Sequence, residues 1–151
     1  MEPAYKLALA SSGLFLLFGM LTGIWKYLAI RASDKAEAPY YVSIAHRTAL
    51  MYAFACLVLA EIGKHSAFDA TVDFWATLFP IIFFALAVAM YVLHGFLNDT
   101  DNQLRKPHRL GPATLPGLFI SVFMWALIAA ETGGFAILLY GCLETLYFTS
   151  T

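Results

Sequence analysis

Four long apolar runs are the feature that most constrains this chain. Leu7 to Trp25 contains no charged residue, and mostly apolar runs follow over Ser43–Ile62, which holds Arg47 and Glu61, over Phe74–Phe96, and over Leu115–Leu146, which holds Glu131 and Glu144. A helix needs about 20 mostly apolar residues to cross a bilayer core, because each residue advances it by only about 1.5 Å. Each run meets that length. The composition agrees: 61% of residues are hydrophobic and 13% are charged, and mean hydropathy is +0.73. Soluble domains are nearer about half apolar and a quarter charged. Thirteen phenylalanines in 151 residues leave too much apolar surface for water, so the expected solvent is lipid. The expected fold is all-α, an integral membrane bundle of four antiparallel helices in one domain spanning 1–151. The expected spans are about 7–30, 43–62, 74–96 and 115–146.

The ends of the runs carry start signals. Ser43 and Asp73 are expected to cap the second and third helices, and Pro116 to sit in the first turn of the fourth. Pro80 falls inside the third, where membrane helices tolerate proline. The fourth run exceeds a bilayer thickness, so it must tilt, bend at Gly133-Gly134 or protrude. The first run does not read as a cleaved leader. Its start is weakly basic, Glu2 offsetting Lys6, and no small-residue cleavage motif follows it.

Charge sets the expected orientation. Lys26, Arg31, Lys35, Arg47, Arg105, Lys106 and Arg109 gather around the first and third loops, whereas Lys6 and Lys64 lie at the other end. The positive-inside rule places loops 31–42 and 98–114 in the cytoplasm and both termini outside, as in a bacterial inner membrane. A net charge of −1 argues against nucleic acid as a partner, since that needs a basic face. Cys56 and Cys142 both lie in apolar runs and read as buried free thiols rather than a disulfide framework or metal pair. The third run is apolar around its circumference, and Gly133, Gly134 and Gly141 offer close helix approach. A homo-oligomer, or a subunit of a larger membrane complex, is therefore expected.

Antiparallel spans fix relative depth. His46 and His94 both fall near the basic end. Tyr91 precedes His94 by nearly one turn on a similar face, and Tyr52 lies about 9 Å deeper than His46 along the second helix. These four side chains are expected to converge at one level of the membrane. Interfacial histidines and tyrosines need no function, and Lys26 and Arg47 can snorkel to the surface. His108 reads as a solvated loop residue and His65 as an interface residue at the far end. Glu131 is mid-span and needs a partner on another helix or another subunit. Phosphate loops, HExxH and paired-carboxylate motifs are missing from the sequence. A haem demands less: one axial histidine and a mostly apolar pocket.

Four short stretches, in order, bring a family into view: "LLFGMLTGIW" in the first helix, "AHRTALMYA" opening the second, "YVLHGF" closing the third and "RLGPAT" before the fourth. The chain resembles the styrene oxide isomerases and, more loosely, the hydroxylaminobenzene mutases, over most of residues 7–140. The resemblance implies haem b with His46 as axial ligand, and Tyr91 as the tyrosine at the end of the third helix. Ferric iron would act as a Lewis acid on a small apolar epoxide taken from the bilayer, giving a carbonyl product. On that reading Lys26, Arg47, Arg105 and Lys106 lie on the side of the expected haem propionates and would meet them. The chain departs from the pattern at Tyr52-Ala53, where the family has asparagine, often Asn-Gly; Tyr52 would then shape the pocket. It departs again at His94, a possible second iron ligand. Two other readings stay open: a non-catalytic subunit of this fold, with or without haem, and a bis-histidine haem electron carrier.

Overall fold

A computed structural model describes residues 2–148. Four helices pack against one another: α1 Pro3–Arg31, α2 Tyr40–Lys64, α3 Ala70–Leu97 and α4 Gly117–Tyr147. All four are long and apolar enough to cross a membrane. Between α3 and α4 lie two short antiparallel strands, β1 Arg109–Leu110 and β2 Ala113–Thr114.

The helix starts differ from those read in the sequence. α2 begins at Tyr40 rather than Ser43, with Pro39 as its cap residue. Proline fixes φ just ahead of the first turn and needs no side-chain acceptor. α3 is capped by Asp69 rather than Asp73: Asp69 Oδ1 accepts from Thr71 N at 2.8 Å and Val72 N at 3.1 Å. Those two N–H groups hold the Asp69 carboxyl below the usual carboxylate range. Asp73 instead lies buried in the first turn. The apolar run starts at Phe74, but the helix starts earlier because the acceptor that reaches free N–H groups is Asp69. Pro116 caps α4 from outside instead of lying within its first turn. α4 then runs unbroken for 31 residues through Gly133-Gly134. At about 1.5 Å per residue it exceeds a bilayer core of about 30 Å, so it tilts or protrudes.

The bundle closes through small residues, as expected where lipid supplies no hydrophobic drive between helices. Gly19 on α1 receives Leu50, and Gly23 receives the His46 ring. Ser12 Oγ donates to the Ala53 carbonyl at 2.8 Å. Gly134 on α4 lies against the Ala76 carbonyl and Pro80 of α3. Gly141 lies against Ser66 and Phe68, and its carbonyl accepts from Ala67 N at 3.0 Å. Gly133, by contrast, faces open space. The innermost cluster includes Ala8, Cys56, Leu59, Ala76, Phe84 and Leu138, and both cysteines are free and buried. Large apolar side chains point outward instead: Leu118 is 77% exposed, Met51 70% and Trp125 69%. That inversion fits a lipid solvent.

Candidate functional site

The 98–114 segment reads as a polar loop in the sequence, yet it folds back as a lid over the basic end of the bundle. Asn98 ends α3 in the left-handed region, φ 46°, and donates its N–H to the His94 carbonyl at 2.8 Å. Asp99, next along, is 7% exposed at its side chain. Its Oδ1 accepts from His94 Nδ1 at 2.8 Å and its Oδ2 from the Gly111 N–H at 2.6 Å. Gly111 sits at φ +58°, the left-handed conformation the turn between β1 and β2 requires and glycine adopts at no steric cost. Across the lid, Gln103 N donates to the Tyr41 hydroxyl at 2.6 Å. His108 is buried, not solvated: it is 8% exposed. Its ring donates to the Gln103 carbonyl at 3.3 Å, and its own carbonyl accepts from Leu115 N at 2.8 Å.

Beneath this lid is a cavity of about 350 Å³, within the size range of small-molecule sites. Leu86 and Met90 of α3 and Phe119, Phe123 and Leu127 of α4 form apolar walls. Tyr52, Tyr91, His94, Gln103, His108 and Arg109 supply its polar groups. α3 and α4 meet closely at Gly134, towards the other end of the bundle. The chamber lies nearer the lid, where the two helices receive bulky side chains instead.

The arrangement inside is specific. Tyr52 stacks on Phe84 at 4.0 Å and meets Phe15 edge-on at 6.0 Å. Tyr41 stacks on Tyr91 at 5.8 Å and lies 5.0 Å from the His94 ring. Glu131 follows Leu127 by one turn on α4. Its Oε1 is buried and has no hydrogen-bond partner among the described residues. The partner required of a mid-span carboxylate is therefore not supplied to that oxygen within the described chain. Sequence reasoning missed Asp99, Gln103 and Arg109 as neighbours of this chamber.

The expected convergence of four side chains is only partly realised. Tyr52, Tyr91 and His94 line one chamber; His46 is not among its lining residues. His46 turns towards α1 instead. Its Nδ1 lies 2.8 Å from the Gly19 carbonyl, and a Cβ on Gly23 would come within 2.9 Å of its Cε1. A carbonyl only accepts, so Nδ1 carries a proton, and in the neutral ring Nε2 is the nitrogen that keeps a lone pair. Arg47 is exposed and Lys26 half-buried, Lys26 lying nearly one turn beyond Gly23 on α1. His65, at the far end, pairs with exposed Glu61 at 3.2 Å. Among the described residues no group of three His, Cys, Asp or Glu side chains is placed to hold a metal ion.

No family model, curated protein or solved structure matches the chain.

Proposed function

We propose that the chain is an intramembrane isomerase that converts a small apolar epoxide into a carbonyl compound, with haem held by His46. One observation carries the catalytic part: two phenols, Tyr52 and Tyr91, share an otherwise largely apolar cavity inside the bundle. An epoxide partitions from the bilayer into such a chamber, and its oxygen accepts from a phenol O–H. As the C–O bond lengthens, that donor stabilises charge growing on oxygen. The walls of Phe119, Phe123 and Leu127 exclude water that would otherwise capture the electron-poor carbon as a diol. A neighbouring hydrogen then moves with its electron pair to that carbon, and the oxygen closes the carbonyl. Atoms are conserved throughout.

The haem part rests on the tautomer of His46. With Nδ1–H donated to Gly19, Nε2 is the nitrogen left for iron, the usual arrangement of a ligating histidine with its other nitrogen tied to a carbonyl. Gly23 gives the ring its room. Lys26 and Arg47 would meet the propionates. Haem bound there would supply a Lewis acid, but His46 does not line the Tyr52–Tyr91 chamber, so the ring opening derived above rests on the phenols alone.

The two parts have separate tests. Purified protein is expected to convert styrene oxide to phenylacetaldehyde, and Tyr91→Phe to slow that conversion by about 10²-fold, the usual loss for one oxyanion donor. Absence of conversion by the wild type, in the presence of supplied haem, would remove the isomerase. Separately, protein expressed with haem is expected to show a Soret band that His46→Ala abolishes. A band retained in full by His46→Ala would show that another residue holds the iron.

A further inference from the structure

We propose that His94 and Asp99 form an acid–base dyad that moves a proton to and from carbon in a small apolar aldehyde or ketone held in the cavity under the lid. The inference rests on the isomerase reading only for its class of molecule: the carbonyl product of that reaction would occupy this same chamber. Neither haem nor epoxide opening enters it.

His94 is 2% exposed, yet it lines the cavity. Its Nδ1–H is committed to Asp99 Oδ1 at 2.8 Å, so the ring nitrogen left for a cavity ligand is Nε2, which in the neutral ring carries a lone pair. Asp99 is itself anchored, because the Gly111 N–H occupies its other oxygen at 2.6 Å. A carboxylate fixed on one imidazole nitrogen selects the tautomer, orients the ring and stabilises the imidazolium when a proton arrives at the other nitrogen. Those two hydrogen bonds, against the cost of burial, hold the Asp99 carboxyl below the usual carboxylate range, so it stays anionic at neutral pH.

The oxygen-side partner is on the same helix. Tyr91 precedes His94 by three residues, which places the two side chains as neighbours on one face of α3. Tyr41 packs on both rings and holds their spacing. A carbonyl whose oxygen accepts from the Tyr91 phenol can present its α-carbon to His94. Nε2 then takes a proton from that carbon, the C–H electron pair forms C=C, and the carbonyl π pair moves to oxygen as an enolate held by the phenol. Return of the proton from the imidazolium regenerates carbonyl and neutral histidine. The step needs no oxidant, reductant or second reactant.

A purely structural latch would use the same Asp99–His94–Gly111 bonds, so the test requires more than loss on mutation. Detergent-solubilised protein is incubated with phenylacetaldehyde in deuterium oxide, and exchange of the α-hydrogens is followed by proton NMR. The wild type is expected to exceed the buffer background by about 10²–10⁴-fold, the usual contribution of a positioned acid or base. His94→Ala is expected to fall to background and to recover on addition of free imidazole, while retaining wild-type helical content and elution volume. Asp99→Asn, at the positioning residue, is expected to lower the rate while leaving the phenylacetaldehyde KM near its wild-type value. His65→Ala at the far end should match the wild type. Exchange by the wild type at background would overturn the dyad, as would a folded His94→Ala that keeps its rate. Failure to turn over styrene oxide would leave this exchange untouched, so the two proposals fail separately.

Discussion

Asp99→Ala is expected to free the lid and to lower the stability of the protein by about 2–4 kcal/mol, the range for stripping a charged partner from buried hydrogen-bonding groups. Asp99 is the joint between α3 and the β1–β2 turn: one oxygen receives the His94 ring, the other the Gly111 N–H. Alanine leaves both donors without an acceptor. Asp99→Asn keeps an oxygen for one of them and should cost less. The joint also has an acid limit. Burial alone would raise the Asp99 carboxyl, but the Gly111 N–H and the His94 ring outweigh it and the net displacement is downward. A carboxylate held lower in the folded state contributes its full stability above the unfolded value of about 3.9. That contribution disappears as pH falls through the folded value. The wild-type lid is thus expected to stay closed from neutral pH down to about pH 4 and to open below it. The Asp99 variants should lack this acid step. Hydrogen exchange across residues 100–115 measures it; equal protection in wild type and Asp99→Ala would show that the lid is held by other bonds.

Membrane thickness made the four helices legible in the sequence, because a run of apolar residues that long has few other uses. Their starts were less so. The third apolar run points to Asp73 as the cap, whereas the oxygen that reaches the free N–H groups is that of Asp69. The lid was hidden for a different reason. Its order depends on Asp99 reaching His94 and on Gln103 reaching Tyr41, and no local pattern announces such pairings. Gly111-Pro112 between Arg109-Leu110 and Ala113-Thr114 was the available sign of a tight turn. The direction of His46 was similarly undetermined from α2 alone. Gly19 and Gly23, one turn apart on α1, were the signal: two missing side chains make room on that face for Leu50 and for the imidazole. Tyr52, Tyr91 and His94 were legible as a group because antiparallel helices fix depth, and depth was enough to bring those three to one chamber.

Gly134→Leu is expected to unseat α4 and to abolish the chamber with it. A Cβ at Gly134 would come within 2.5 Å of the Ala76 carbonyl oxygen and 2.6 Å of Pro80 Cγ. The first of these is backbone and the second a closed ring, so neither can swing aside as a flexible side chain would. α4 itself must move away from α3. Even Gly134→Ala should cost about 1–3 kcal/mol, the range for overpacking a close contact, and leucine more. The neighbouring residue supplies the contrast. A Cβ at Gly133 meets nothing within 4 Å, so Gly133→Ala should be neutral or gain up to about 1 kcal/mol from helix propensity. Thermal unfolding in detergent, followed by circular dichroism, compares the two. Equal stability of Gly134→Leu and wild type would refute the packing argument, as would equal damage from Gly133→Ala. The consequence extends along the helix, because the residue that sets the α3–α4 approach is far from the cavity wall it positions. Phe119, Phe123 and Leu127 lie two to four turns nearer the lid on the same rigid element. A shift at Gly134 therefore misplaces the wall facing Tyr91 and His94, and the Gly134 variants should lose cavity-dependent activity before they lose helical content.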